Sequence, residues 1–139
     1  MSSKLVEYFH KQPRIGMIST AGKDGKVDVA VMGSPRMTDE KTVVLGSGTN
    51  RTLGNLQQNP YAVYMIIEPG NTVMDWKGIR VYMKLKDLAT SGPAFDAYRK
   101  NIAEAVGEEA AAMIHALATF EVIEVRPIVD MGQGWEQSI

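Results

Sequence analysis

The stretch from Gly78 to Leu88 constrains the fold of this chain most strongly, because apolar and polar side chains alternate along its length. The apolar set is Ile79, Val81, Met83 and Leu85, and the polar set is Arg80, Tyr82, Lys84 and Lys86. A period of two residues places the two sets on opposite faces of an extended strand, whereas a helix repeats every ~3.6 residues. The pattern therefore predicts a long β-strand with one buried face, against which the rest of the chain must pack.

Shorter runs of β-forming residues, separated by turn residues, predict that this strand belongs to an antiparallel sheet. Further strands are predicted over residues 15–20, 27–33, 42–45, 61–67 and 120–129. Helices are predicted over about 3–11 and 53–59 and over two segments between 93 and 117, with a break between the two at Gly107. Residues 22–25 form a hairpin turn and residues 38–41 a second turn. Closing such a sheet as a barrel removes its exposed edges. We therefore predict a mainly β fold, a β-barrel with peripheral α-helices.

Length and composition limit the class of protein. A chain of 139 residues with 45% hydrophobic and 22% charged residues predicts one globular domain over residues 1–139. The net charge of −1 favours neither nucleic acid nor an anionic membrane as a partner. The sequence has no cysteine and two histidines, so disulfides and thiol chemistry are excluded and no metal site is expected.

No run near the N-terminus has the apolar length of a signal peptide, and no segment approaches the roughly 20 apolar residues that span a bilayer. A cytoplasmic protein without a membrane partner is therefore expected.

The segment from Gly46 to Leu56 carries the clearest indication of a binding site. Small and polar residues lie where a predicted strand ends and a predicted helix begins. The first turn of a helix offers free N–H groups and a partial positive charge that suit a phosphate, and Arg51 can grip two phosphate oxygens. Thr49, Asn50 and Thr52 can add hydrogen bonds. The alternative is an ordinary helix cap by Thr49 or Asn50 with Arg51 in solvent, and the local pattern leaves both open.

The order of these parts resembles the FMN-binding split barrel of the pyridoxamine 5'-phosphate oxidase-like family. The matching parts are the strand Ile15–Thr20, a glycine-containing turn, the strand Val27–Gly33, the run Thr42–Leu45 that leads into Thr49-Asn50-Arg51-Thr52, and Gly78-Ile79-Arg80-Val81. The resemblance covers roughly residues 5–130. It implies a split barrel that binds FMN and forms a homodimer with the cofactor at the subunit interface.

The resemblance also implies which residues contact the cofactor. The strand whose backbone lies along the isoalloxazine ring and ribityl chain corresponds to Ala30, Val31, Met32 and Gly33. The phosphate site corresponds to polar and basic residues of the next segment, namely Ser47, Thr49, Asn50, Arg51, Thr52 and Asn55. Arg80 matches a residue that reaches the flavin from the long strand, often across the dimer. Because aromatic rings stack on planar heterocycles, Trp135 is a further candidate contact, with packing inside the chain as its alternative.

These assignments predict a flavoprotein of the pyridoxamine 5'-phosphate oxidase-related type, an oxidoreductase acting on an unspecified small substrate or redox partner. The cofactor carries the redox chemistry, so no catalytic side chain is assigned. The family's oxidases carry basic residues where this chain has Ala30, Val31 and Met32, and oxidation of pyridoxamine phosphate itself is therefore not expected. The alternatives are a non-catalytic flavin carrier or electron-transfer module, the same barrel binding deazaflavin F420 or haem, and a cofactor-free dimeric binding module.

Overall fold

A computed structural model describes residues 3–139, and most of its regular structure is β-strand. Within these residues the strands are β1 (Ile15–Ala21), β2 (Val27–Val31), β3 (Arg36–Asp39), β4 (Thr42–Ser47), β5 (Tyr61–Glu68), β6 (Lys77–Ala89) and β7 (Ala116–Pro127). The helices are α1 (Lys4–Phe9), α2 (Arg51–Leu56), α3 (Pro93–Val106) and α4 (Glu108–Ala112). Short 3-10 helices cover Val73–Asp75 and Trp135–Ser138.

The strands form one antiparallel sheet in the order β2-β1-β5-β6-β7-β4-β3. The edge strands β2 and β3 follow each other in the chain and are joined only by residues 32–35. Residues 31 and 36 can therefore lie at most about 18 Å apart, so the sheet must curl until its edges approach each other. Within residues 3–139 no backbone pairing joins β2 to β3. The predicted β-barrel with peripheral helices is confirmed, and the barrel is split.

The structure differs from the sequence prediction at several boundaries, and the strand predicted over residues 27–33 ends at Val31. Residues 38–41, predicted as a turn, include the end of β3, which forms because its first residues pair with β4. Strand β7 begins at Ala116 rather than at Phe120, because residues 116–118 pair with β4 and are buried. Helix α2 ends at Leu56, earlier than the predicted end near residue 59.

The inner face of the sheet forms the main core. Its fully buried side chains include Ile18, Val43, Tyr64, Ile79, Val81 and Phe120. Helix α1 covers one end of this core with Leu5, Tyr8 and Phe9. Burying each such side chain contributes about 1.5–3 kcal/mol, so the alternation along the strands is what drives the sheet to curl around this core.

A second, smaller core of Phe95, Ile114 and Leu117 holds α3 against the outside of the sheet. Gly107 separates α3 from α4 with a φ of 106°, a conformation that glycine adopts without steric cost. The helix break predicted at this glycine is confirmed. No helix in the described part of the chain combines the length and the apolar character needed to cross a bilayer.

Candidate cofactor site

Two carbonyl groups at the end of β2 are hydrogen-bonded by side chains from inside the barrel. Tyr64 Oη donates to the Met32 carbonyl at 2.7 Å, and Arg14 Nη2 donates to the Gly33 carbonyl at 2.6 Å. The Arg14 guanidinium carbon lies 5.3 Å from the Phe9 ring centroid and 5.5 Å from that of Tyr64. Burial raises the pKa of Tyr64, so its phenol stays protonated and can donate at neutral pH. Side chains of the barrel thus hold the backbone of this part of the predicted flavin strand in place.

A second set of hydrogen bonds joins the next residue of this segment, Ser34, to β4. Ser34 Oγ donates to the Gly46 carbonyl at 3.0 Å. Tyr98 Oη accepts the Gly46 N–H at 3.1 Å and donates to the Ser34 carbonyl at 3.4 Å. Because Pro35 follows, Ser34 is restricted to extended conformations. The structure therefore brings the segment after β2 next to the end of β4, from which the predicted phosphate loop begins.

The loop between β4 and α2 is shaped by a helix cap. Asn50 Oδ1 accepts the Leu53 N–H at 2.9 Å, as an N-cap does. Ser47 is buried beneath the loop, and its Oγ donates to the Gly48 carbonyl at 3.0 Å. The helix has only six residues, so few peptide dipoles add at its N-terminus. The Asn50 side-chain oxygen therefore caps the helix, and the amide nitrogen of the same side chain stays available to a ligand.

The predicted phosphate residues divide into an exposed and a buried group. Thr49 and Arg51 are exposed, and no ion pair within residues 3–139 involves Arg51. Thr52 is buried on the inner side of the helix. Asn55 Nδ2 donates to Thr20 Oγ1 at 3.1 Å and thereby ties α2 to β1. Arg51 is thus the unpaired cation at this end of the site.

A cavity of about 600 Å³ opens beside this loop. Its lining comprises Gly46, Gly48, Thr49, Asn50 and residues 112–115. The His115 N–H donates to the Ser47 carbonyl at 2.8 Å, which holds the far wall against the loop. The lining contains no carboxylate, and Arg51 follows it directly in the chain. Hydroxyl and amide donors next to an unpaired guanidinium, with no opposing acid, fit a phosphate ester.

The outward face of β2 is apolar. Val27, Val29 and Val31 are 86%, 61% and 81% exposed, whereas Ala30 and Met32 are half-buried against the core. The strand register continues this face across β1, β5 and β6, with Met17 and Met65 in line with Val31. The predicted flavin strand therefore turns its valines, and not Ala30 or Met32, away from the barrel.

Arg80 lies at the far end of the same row, on β6, three strands from β2. Its guanidinium donates to the Pro127 carbonyl at 3.1 Å, to Tyr82 Oη at 2.8 Å and to Asp130 at 2.8 Å. Hydrogen bonds from Arg126 and from the Gly132 N–H, with the charges of both arginines, lower the pKa of Asp130 to about 2. Within one protomer Arg80 is thus occupied by its neighbours, and its contact with a flavin stays a prediction.

Trp135 lies in the C-terminal 3-10 helix and packs half-buried against the main core. This corresponds to the packing role that the sequence left open, and a cofactor contact by its exposed part stays a prediction. Sequence reasoning missed Arg14, Tyr64 and Tyr98. Their partners in the site lie 19, 32 and 52 or more residues away, so no local pattern could indicate them.

An antiparallel sheet split between β2 and β3, with a glycine-containing loop leading into a short helix, defines a small split-barrel protein. A family model described as pyridoxamine 5'-phosphate oxidase matches residues 2–128, and the chain belongs to this family. The resemblance drawn from the sequence is confirmed. No curated protein sequence matches the chain significantly.

Solved structures share the fold. An FMN-binding protein from Syntrophomonas wolfei subsp. wolfei superposes with a TM-score of 0.70 at 23% identity, over 81% of this chain and 76% of that chain. HupZ from Group A Streptococcus gives 0.73 at 17% identity, over 92% and 94%. HutZ, the haem storage protein from Vibrio cholerae, gives 0.65 at 15% identity, over 90% and 94%. At these identities the likeness establishes the fold and leaves the cofactor to be argued from the site.

Proposed function

We propose that this single-domain chain is a cytoplasmic FMN-binding homodimer, an oxidoreductase acting on a small organic substrate or redox partner. The observation that carries the proposal is the junction of a fixed backbone segment, residues 32–34, with the end of β4, from which a loop leads to the unpaired cation Arg51. The backbone of residues 32–34 suits a planar ring system, and the loop with Arg51 suits a phosphate. The family and the FMN-binding protein of the same fold support FMN as the ligand.

The phosphate end of the proposed site depends on side chains. Arg51 offers a planar fork of donors, Thr49 a hydroxyl and Asn50 its amide nitrogen. Because the six-residue α2 contributes only a small dipole, most of the attraction for the phosphate comes from the Arg51 charge.

The ring end depends on the backbone of Val31, Met32 and Gly33. When bound there, FMN supplies the electron-transfer chemistry. The chain itself binds the ring, orients it along the end of β2 and shields one face from water.

The proposed dimer is supported by the valine face. Three exposed valines on one edge strand, continued by apolar residues of β1 and β5, form the kind of patch that marks a protein interface. A second copy that covers this face would bury Val27, Val29 and Val31 and would enclose the end of β2. Two cofactor sites per dimer, each completed by the partner, follow from this arrangement.

One alternative cofactor has an observation in its favour. The exposed His115 lines the cavity next to the loop, and imidazole is a usual ligand of haem iron. The fold likeness to a haem storage protein is compatible with that alternative. Deazaflavin F420 is the other alternative, and a flavin carrier without an organic substrate is the alternative for the activity. The absorbance spectrum of the purified protein separates the three cofactors, and saturable oxidation of a substrate separates enzyme from carrier.

The test is a titration of the protein with FMN, followed by quenching of flavin fluorescence. Arg51→Ala should weaken binding about 10- to 100-fold, the usual worth of a hydrogen bond to a charged group. Arg51→Lys should recover part of this loss, because it keeps the charge without the fork. Lys100→Ala, on the exposed side of α3, is the matched control and should bind as wild type does. Saturable binding of haem or F420 instead of FMN would replace the proposed cofactor.

A further inference from the structure

Two successive N–H groups just after β2 have no hydrogen-bond partner in the described part of the chain. The pairing of β2 with β1 ends at Val31, and the Met32 N–H donates to the Gly16 carbonyl at 2.9 Å. Beyond this point neither the Gly33 N–H nor the Ser34 N–H forms a hydrogen bond within residues 3–139. Backbone donors in folded chains are nearly always satisfied by protein, water or ligand. This adjacent pair is therefore open to a ligand.

The carbonyl ends of the same two peptide groups are both anchored. Tyr64 holds the carbonyl of the peptide between Met32 and Gly33, and Arg14 holds that of the peptide between Gly33 and Ser34. In a trans peptide the C=O and N–H groups point in opposite directions. Both free N–H groups therefore point away from the side chains that hold their carbonyls.

The anchoring side chains also change the electrostatics of these peptides. The Arg14 guanidinium is fixed by a second bond, from Nη1 to the Phe9 carbonyl at 2.9 Å, and it faces the Tyr64 ring. A charged donor on a carbonyl polarises the peptide, which makes its N–H a stronger donor. Space is open beside Gly33, since a Cβ built on this residue meets no atom within 4 Å.

From this arrangement we propose that Arg14 and Tyr64 are positioning residues for the cofactor. They fix and polarise two peptide groups so that the Gly33 and Ser34 N–H groups form a paired donor site for acceptor atoms of the flavin ring. The inference rests on the proposed function and assigns to it two residues that do not touch the cofactor. Preorganised donors of this kind stabilise negative charge that accumulates on the ring when it is reduced. They therefore raise the reduction potential of the bound flavin.

The chain contains a matched control for both residues. Tyr8 Oη donates to Glu68 at 2.7 Å, and Lys11 lies 5.9 Å from the Tyr8 ring centroid and pairs with Glu68 at 2.8 Å. This is also a tyrosine with a cation near its ring, and it holds α1 to β5 without contacting residues 32–34. Tyr8→Phe and Lys11→Gln therefore remove equivalent groups outside the site.

The experiment compares Arg14→Gln and Tyr64→Phe with these controls in three measurements: FMN affinity, the reduction potential of the bound flavin, and urea denaturation. We expect FMN to bind about tenfold more weakly in Arg14→Gln and about threefold in Tyr64→Phe. In both variants the potential should shift to more negative values. The controls should lose stability without a change in affinity or potential. In the wild type, amide exchange at Gly33 and Ser34 should slow when FMN binds.

The outcomes separate the two proposals. If the wild type binds FMN and both site variants keep its affinity and potential, Arg14 and Tyr64 are structural only and this inference is overturned alone. If the wild type does not bind FMN, the proposed function fails and the inference fails with it. Should Arg14→Gln fail to fold, Tyr64→Phe removes a single oxygen atom and decides the question.

Discussion

His10 accepts a hydrogen bond from the Met37 backbone N–H through Nε2 at 3.0 Å and, through Nδ1, donates one to the Val6 carbonyl at 2.9 Å. The first bond needs an unprotonated nitrogen and the second a protonated one, so the fold holds a neutral imidazole. This side chain links helix α1 to the edge strand β3. It thereby connects the helix that covers one end of the core to one of the two edge strands between which the barrel is split.

The stability of the protein should therefore fall in mild acid. Burial lowers the pKa of His10, and the charges of Arg36 and Arg14 lower it further, against the opposing hydrogen bond to Val6. Because the folded pKa lies below the unfolded one, the stabilisation is complete above pH ~6.5 and is lost as the pH falls towards the folded pKa. We expect the free energy of unfolding to fall by about 1 kcal/mol in this window, the net worth of one hydrogen bond.

Urea denaturation at a series of pH values checks this expectation. His10→Asn cannot titrate, so its free energy of unfolding should change less than that of the wild type just below pH ~6.5. An identical pH dependence in the two proteins would show that His10 does not control it.

Substituting Gly33 should separate cofactor binding from folding. An added Cβ meets no atom within 4 Å, and Gly33 is not among the glycines with positive φ, so alanine fits the folded chain. We expect Gly33→Ala to keep or raise stability, by up to about 1 kcal/mol, because it restricts the unfolded chain. FMN affinity should fall about tenfold or more, because the methyl group occupies the side on which the ring is proposed to lie.

Gly54→Ala is the control for that substitution. A Cβ built on Gly54 likewise meets no atom of neighbouring elements within 4 Å, but Gly54 lies inside α2, where alanine favours the helix. It should raise stability and leave FMN affinity within about twofold of the wild type. If Gly33→Ala keeps the FMN affinity of the wild type, the flavin ring does not lie at the end of β2.

The valine face should control the oligomeric state. Val29→Lys places a charge in the centre of the exposed β2 face, and burying an unpaired charge at an interface costs several kcal/mol. Sedimentation equilibrium should show a dimer for the wild type and a monomer for this variant. Val106→Lys, at an exposed valine of α3, should remain dimeric. A monomeric wild type would contradict the proposed dimer, and a dimeric Val29→Lys would place the dimer contact elsewhere.

Several elements followed from the sequence because their causes are local. The alternation along residues 79–86 predicted the centre of β6, and the turn at residues 22–25 predicted the hairpin of β1 and β2. The break at Gly107 and a capping role for Asn50 were also visible in the sequence. Each depends on residues within a few positions of one another, where side-chain period, turn chemistry and caps act.

Tertiary structure decided the rest. Residues 36–39 became a strand because β4 offered a partner, although the local pattern of residues 38–41 indicated a turn. Apolar residues occupy both sides of β2, so only the curl of the sheet determined that its valines face outward.

The candidate site likewise has a part that the sequence predicted and a part that only the tertiary structure determined. The sequence by itself identified the family, and it predicted the candidate cofactor site at the segment around Arg51 and at the strand expected to end at Gly33. Only the folded sheet brought Arg14 and Tyr64 to that strand, across 19 and 32 residues of chain. A hydrogen bond between such distant positions forms once the barrel has curled, because the core packing and not the local backbone sets the distance between its partners.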